Sequence, residues 1–305
     1  MAAEVPIVDR LAGGVWGHLV GDAMGVPYEG RSQEQVGTVQ FGAVGTHSQP
    51  PGTWSDDGGL MLALLDSLVS VGFDTTDQGL RALAWLIGPA YKPGPVFSIG
   101  GTTEDALVRI AGGVAAESAG GNEEWNNGNG SLMRILPIAL VGFEREPATL
   151  VDWSFRASRI THAHPRSRVT CALYTLLAAE LLNGEANRIR ALEVALAKLA
   201  PLVSGAEADE LMLIRTHEGR DGSFYVVDTF WSAWDAFSKS ESFSQTIVRA
   251  ITYGNDTDTT AAVAGGLAGI YWGIGGIPVE WRESMRGREI VEAAIQRLSS
   301  EVAPK

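Results

Sequence analysis

Apolar residues recur at three- and four-residue steps through 76–89, 147–160, 166–184, 187–202, 225–237 and 286–300. That is the period of a helix that buries one face. Ala, Leu and Glu are frequent in these segments, while the strict alternation of a half-buried strand is scarce. Glycine and proline gather between them, at 42–52, 92–101, 119–130 and 273–278, which marks turns and loops. The pattern predicts an all-α chain of roughly ten or more helices forming a single domain over 1–305. Its glycine-rich connections are long, and loops of that length in a compact domain usually bind something. There is no low-complexity tract, no long linker and no repeat of fixed period.

Two helical segments carry glycine or alanine at every fourth position: Gly13, Gly17, Gly21 and Gly25, then Ala261, Gly265, Gly269 and Gly273. Residues four apart share a helix face. Glycine within a helix costs ~1 kcal/mol relative to alanine, so several in one helix imply compensation by close packing. The two ridges are expected to be central and to touch each other, the alternative being plain tolerance of small residues.

Composition narrows the function. Of 305 residues, 45% are hydrophobic and 19% charged, which excludes a mainly disordered chain. The 23 bases and 36 acids leave a net charge of −13. That argues against a general nucleic-acid or anionic-membrane surface, while a local basic pocket is still allowed. The single cysteine, Cys171, rules out an internal disulfide framework and fits a reducing compartment. The opening, MAAEVPIVDRLAGG, meets Asp9 and Arg10 before an apolar core can form, so a cytoplasmic protein is expected. Thr259–Val279 is uncharged but holds six glycines and Pro278; it reads as a buried core helix followed by a turn.

Acidic residues cluster where such helices begin. Ser55-Asp56-Asp57 follows the loop Pro50-Pro51-Gly52, ahead of an apolar helix expected after Gly59. Gly254-Asn255-Asp256-Thr257-Asp258-Thr259 stands before AAVAGGLAGIYWG. A purely structural reading makes each a helix start, with a capping hydroxyl and acids in the first turn. Together they supply four carboxylates and two hydroxyls, hard oxygen ligands suited to a pair of magnesium or manganese ions. Glu29 projects beyond the end of the first ridge helix and can join them if the two ridge helices pack together. The loop Asn126–Arg134 opens a helix with glycines, offering free amides to a phosphate, without the GxxxxGK[ST] pattern of a P-loop. His162 and His164, in ITHAHP, lack a third nitrogen or sulfur partner for zinc, so a hydrogen-bonding or stacking contact to a ligand is expected. His18 reads as a satisfied core residue and Cys171 as inert.

In order, GDAMGVPYEG, SDDGGLML, SIGGTTEDAL, NGNGSLMRILPIAL, ITHAHP and GNDTDTTAAVAGGLAG resemble the ADP-ribosylglycohydrolase family, over about residues 9–298. The resemblance implies an all-α fold with two Mg²⁺ or Mn²⁺ ions and removal of ADP-ribose from a modified target, protein or small conjugate. It implies Ser55, Asp56, Asp57, Asp256, Asp258 and Thr259 as metal ligands, and Glu29, Asp56 and Asp57 as the catalytic carboxylates. Gly128, Asn129, Gly130, Ser131, Leu132 and Met133 would form the diphosphate and ribose loop, and His162 would touch the ligand. Gly222, Ser223, Phe224 and Tyr225 would lie beside the nucleotide. Two departures stand out. The family's Thr-Asp-Asp-Thr is Ser-Asp-Asp-Gly here, and Ser98 stands where many relatives have an aspartate, which opens the acceptor preference. A non-catalytic ADP-ribose reader on the same fold and a metal phosphohydrolase are the competing readings.

Overall fold

A computed structural model describes residues 5–302. Fifteen α-helices occur among the described residues. The first five are α1 (Ile7–Gly25), α2 (Gln33–Val36), α3 (Asp56–Val71), α4 (Thr75–Ile87) and α5 (Gly101–Ala111). The middle of the chain forms α6 (Leu136–Gly142), α7 (Pro147–Arg159), α8 (Pro165–Leu182), α9 (Arg188–Leu199) and α10 (Ala206–Thr216). The last five are α11 (Val226–Ser238), α12 (Phe243–Thr252), α13 (Thr257–Trp272), α14 (Val279–Glu283) and α15 (Arg288–Val302). No strand forms among the described residues, only isolated bridges pairing Gly121 with His162 and Gly128 with Tyr225. No helix among the described residues is long and apolar enough to cross a membrane.

Local chemistry sets many of the helix starts. Asp74 accepts the amides of Thr76 and Asp77 ahead of α4, Asn187 that of Arg190 ahead of α9, and Ser242 that of Gln245 ahead of α12. Each satisfies amides that a helix N-terminus leaves unpaired. The expected helices at 76–89, 147–160, 166–184, 225–237 and 286–300 all form, within about two residues of their expected ends. The expected 187–202 segment ends as a 3₁₀ turn, Ala200–Leu202, because Pro201 cannot donate to a continuing helix. One start differs: the helix expected after Gly59 already begins at Asp56, since the Ser55 hydroxyl accepts the Asp57 amide.

At the centre α1 packs along α13, ridge on ridge. A Cβ added at Gly13 would fall 2.9 Å from the Gly269 carbonyl carbon, and one at Gly21 2.6 Å from that of Ala261. Ordinary contact begins at about 3.4 Å, so only glycine lets the backbones lie this close. α8, α11 and α12 surround α13, and Leu19, Tyr174, Phe230, Phe237 and Phe243 are buried in the same core. The packing has a consequence at one end of the pair. A Cβ at Gly25 would come 2.5 Å from the Asp258 amide, so the C-terminus of α1 lies directly against the N-terminus of α13.

Candidate active site

Three chain segments meet where those two helix ends touch. α1 gives way to a 3₁₀ turn, Val26–Tyr28, and then Glu29. The Gly30 amide donates to the Asn255 carbonyl (2.7 Å), and the Asn255 amide to that of Arg31 (2.6 Å). This short ladder sets Glu29 beside the start of α13, where its carboxylate oxygen lies within 4.8 Å of oxygens of both Asp256 and Asp258. The third segment is the start of α3, where Asp57 Oδ2 accepts from the Ser55 hydroxyl at 3.1 Å and from the Thr259 hydroxyl of α13 at 3.4 Å. The two acidic clusters are therefore one.

A cavity of about 290 Å³ opens over them. Glu29, Asp56, Asp57, Asp256, Asp258 and Thr259 line it on one side. Ser98, Thr103, Gly128, Asn129, Gly130, Met133, His162 and Phe224 are among the residues completing it. The four aspartates are buried, and no lysine or arginine among the described residues lines the cavity. Burial and mutual repulsion hold Asp56, Asp57 and Asp258 well above the usual carboxylate range, and burial raises Asp256 to about 6. Asp57 Oδ1 is buried without a protein partner. Buried carboxylates without a counter-charge are costly. Oxygen donors so arranged, with no sulfur or imidazole among them, fit hard divalent cations.

Asp22, which sequence reasoning passed over inside GDAMG, secures this arrangement. Its carboxylate accepts the Ser55 amide (2.9 and 3.0 Å) and the Gly58 amide (2.8 Å), so α1 caps the first turn of α3. Burial lifts Asp22 to about 7 against the lowering effect of those amides. Its one visible signal was a charged residue within an otherwise apolar ridge helix. Gly58, the departure from the family pattern, has a steric reason. A Cβ there would fall 2.7 Å from Trp54 Cδ1 and 2.5 Å from Leu19 Cδ2, so the buried indole occupies the space a threonine would need.

The opposite wall is only partly as expected. Asn129 donates from Nδ2 to Asp256 Oδ2 (2.6 Å) and to Thr229 Oγ1 (2.9 Å), joining the glycine loop to the acidic cluster. Its backbone amide, expected to be free for phosphate, donates instead to the Phe224 carbonyl (3.1 Å). Ser131 and Leu132 are buried away from the cavity, with the Ser131 hydroxyl accepting from Ser158 (2.9 Å). Gly222, Ser223 and Tyr225 do not line the cavity either. The Gly222 carbonyl accepts the Asp256 amide (2.8 Å), and Ser223 donates to Asp228. Of that stretch only Phe224, half exposed, faces the opening.

The histidines separate. His164 caps α8 by accepting the Arg166 amide (3.2 Å). His162 faces the cavity. Arg134 donates to the Gly130 carbonyl and to Thr161 Oγ1, both at 2.8 Å, and Thr161 Oγ1 lies 2.8 Å from His162 Nδ1. With Arg134 donating to Thr161, the Thr161 hydroxyl hydrogen is free to donate to Nδ1, an arrangement that puts the proton of a neutral imidazole on Nε2. Burial, with the Arg134 charge, lowers the His162 pKa to about 3. His18 is buried in α1, as a core residue would be; burial lowers its pKa to about 4 against the raising effect of the Asp57 backbone, although neither ring nitrogen makes a hydrogen bond of good geometry among the described residues. Cys171 is buried and its thiol pushed up to about 11 by burial, as an inert cysteine would be.

Glu29 has company that sequence reasoning did not foresee. Its Oε2 pairs with His47 Nε2, and the Ser98 hydroxyl lies 3.4 and 3.3 Å from Oε1 and Oε2. Glu104 and Asp105, the acids nearest Ser98 in sequence, are exposed and do not line the cavity.

Comparison with known proteins gives one answer. The sequence pattern of the ADP-ribosylglycohydrolase family matches residues 3–305. An ADP-ribosylarginine hydrolase from Pseudomonas putida (strain GB-1) is 33% identical over 302 residues, covering 95% of this chain and 78% of that protein. An ADP-ribosyl-(dinitrogen reductase) glycohydrolase from Rhodospirillum rubrum is 29% identical, over 95% of this chain and 94% of its own. A solved structure described as an ADP-ribosylglycohydrolase-related protein complex superposes with a TM-score of 0.81 at 32% identity, covering 97% of this chain and 98% of that one.

Proposed function

Because the chain belongs to the ADP-ribosylglycohydrolase family and is an ADP-ribosyl hydrolase, we propose that it works with two divalent cations, magnesium or manganese, on an ADP-ribosylated protein side chain. One observation carries this reading: five carboxylates from three segments converge in one cavity without a lysine or arginine among its walls. Ser55, Asp56, Asp57, Asp256, Asp258 and Thr259 would hold the ions. Bound there, the cations would supply positive charge that offsets much, not all, of the charge of the five carboxylates and would anchor the hydroxyls of the distal ribose.

The remaining chemistry belongs to the chain. Glu29 is the least buried of the five carboxylates, so it can take the proton of the attacking water and pass it to solvent. Asp56 and Asp57 contribute a negative field that favours the oxocarbenium character developing at the anomeric carbon. Gly128, Gly130 and Met133 border the diphosphate, His162 donates from Nε2 to a ligand oxygen, and Phe224 offers a face to the base. Asn129 holds the glycine loop against Asp256.

The acceptor follows from Ser98. An arginine-linked substrate brings a guanidinium, which a carboxylate at that place would pair with strongly. Ser98 offers a neutral hydroxyl, already directed at Glu29, so discrimination for arginine linkages is weak. Incubation of an ADP-ribosylated protein with the enzyme and Mg²⁺ tests the whole reading. Release of free ADP-ribose supports it. Saturable ADP-ribose binding without turnover would make the chain a reader, and AMP as the product would make it a phosphohydrolase.

A further inference from the structure

Four of the five cavity carboxylates are placed by helix starts: Asp56 and Asp57 open α3, while Asp256 and Asp258 open α13. Glu29 has no such support. It stands in a connection and has three rotatable side-chain bonds, whose freedom must be removed if its carboxylate is to point one way. Two segments that bear none of the proposed metal ligands supply the restraint. One is the loop at 42–52, already marked by its glycines and prolines. There the Thr46 hydroxyl donates to the Glu29 carbonyl (2.6 Å) and the Thr46 amide to that of Pro27 (3.3 Å). A Cβ at Gly45 would fall 2.7 Å from Pro27 Cα, so the loop lies flat on the turn before Glu29. This brings His47 Nε2 onto Glu29 Oε2. The second segment holds the imidazole in place: Phe97 packs on it, with ring centroids 5.3 Å apart and planes at 45°. The next residue, Ser98, directs its hydroxyl at the same carboxylate. His47 is only partly exposed and does not itself line the cavity.

We propose that His47 is a positioning residue, whose ring, braced by Phe97, holds the Glu29 carboxylate at the angle that proton transfer requires. The proposal rests on the reading of Glu29 as the proton acceptor. His47 touches no substrate, so its loss acts on turnover and leaves binding alone. Loss of one hydrogen bond to a charged group corresponds to roughly a ten- to hundredfold effect when the bond matters fully in the transition state.

The test uses the full chain with Mg²⁺ and an ADP-ribosylated protein. His47→Phe keeps an aromatic ring against Phe97 and removes the nitrogen. His47→Gln replaces the ring and can return an N–H to the Nε2 position. Phe is expected to lower kcat roughly tenfold or more, with KM, the calorimetric affinity for ADP-ribose and the melting temperature close to wild type. Gln should recover most of the lost kcat. A Phe variant with wild-type kcat, or a Gln variant as slow as Phe, overturns the proposal. So does a loss that appears in KM or in the melting temperature, since that is what a merely structural histidine gives. Glu29→Gln separates the two levels. Full activity in that variant sinks the Glu29 reading itself, whereas loss there beside an unaffected His47→Phe sinks only the positioning role.

Discussion

The close approach of α1 and α13 makes Gly17→Ala the sharpest test of the fold. In an isolated helix this change favours the helical state by ~1 kcal/mol. Here the new Cβ would lie 3.0 Å from Gly269 Cα and closer still to the Gly265 carbonyl oxygen. Ordinary contact begins at about 3.4 Å. Both obstacles are backbone, which cannot rotate away, and the nearer one, the Gly265 carbonyl oxygen, requires the helices to part by roughly an ångström at the crossing. Overpacking of this kind costs typically ~1–3 kcal/mol. With no side chain to yield, the upper part of that range applies, and the net loss after the propensity gain is about 1–2 kcal/mol. Gly14→Ala is the matched control. It lies three residues earlier, beside the ridge, and its Cβ meets only side-chain carbons of Ile270 and Leu140, each at 3.0 Å, which can shift. Urea unfolding followed by circular dichroism reads both; a lower midpoint at unchanged slope is a loss of stability. If Gly17→Ala proves as stable as wild type, or costs no more than Gly14→Ala, the ridge-on-ridge argument is wrong.

Four further outcomes are expected. Asp57→Asn should abolish turnover and the stabilisation given by Mg²⁺, yet leave the metal-free protein at least as stable as wild type, because it deletes one of several mutually repelling buried charges; undiminished activity after exhaustive chelation would reject the cation reading. ADP-ribose should raise stability by ~2.7 kcal/mol at a hundred times its dissociation constant, measured by melting curves, and an AMP shift of equal size would count against a site built around the distal ribose. His162, with a folded pKa lowered to about 3, takes up its proton more readily when unfolded, so its contribution is complete above about pH 6.5 and is lost as pH falls below it, at up to ~1.4 kcal/mol per pH unit. Stability of His162→Asn between pH 6 and 4 should therefore fall less steeply than that of wild type, and parallel slopes would refute this. Ser98→Asp should raise kcat/KM on arginine-linked relative to serine-linked ADP-ribose by roughly ten- to hundredfold; a wild type already strongly selective for arginine, with no gain in the variant, would refute the acceptor argument.

Features whose physics is local could be read along the chain. Helical periodicity reports which face is buried without knowing what buries it, so the helices and most of their ends were legible. The glycine spacing was equally legible, since a helix places every fourth residue on one face and several uncompensated glycines would be too costly. That the two acidic clusters act together was suggested by their shared chemistry at the starts of glycine-rich core helices, but what brings them together, Asp22 of α1 capping the first turn of α3, lies between remote segments. The cavity's other wall was not legible in the same way. A loop motif names residues but not the directions of their side chains, so Ser131, Leu132, Ser223 and Tyr225 turned out to face the core or neighbouring helices while Phe224 faces the opening. Contacts between remote segments left the least trace. Asp22 caps a helix that begins 34 residues later, and Glu29 meets His47 and Ser98 across separations of 18 and 69 residues. Nothing in the short-range pattern marks a histidine in a proline-rich loop as the partner of a particular glutamate. That pairing arises only when the loop is pressed onto the end of α1, by packing that no single segment encodes.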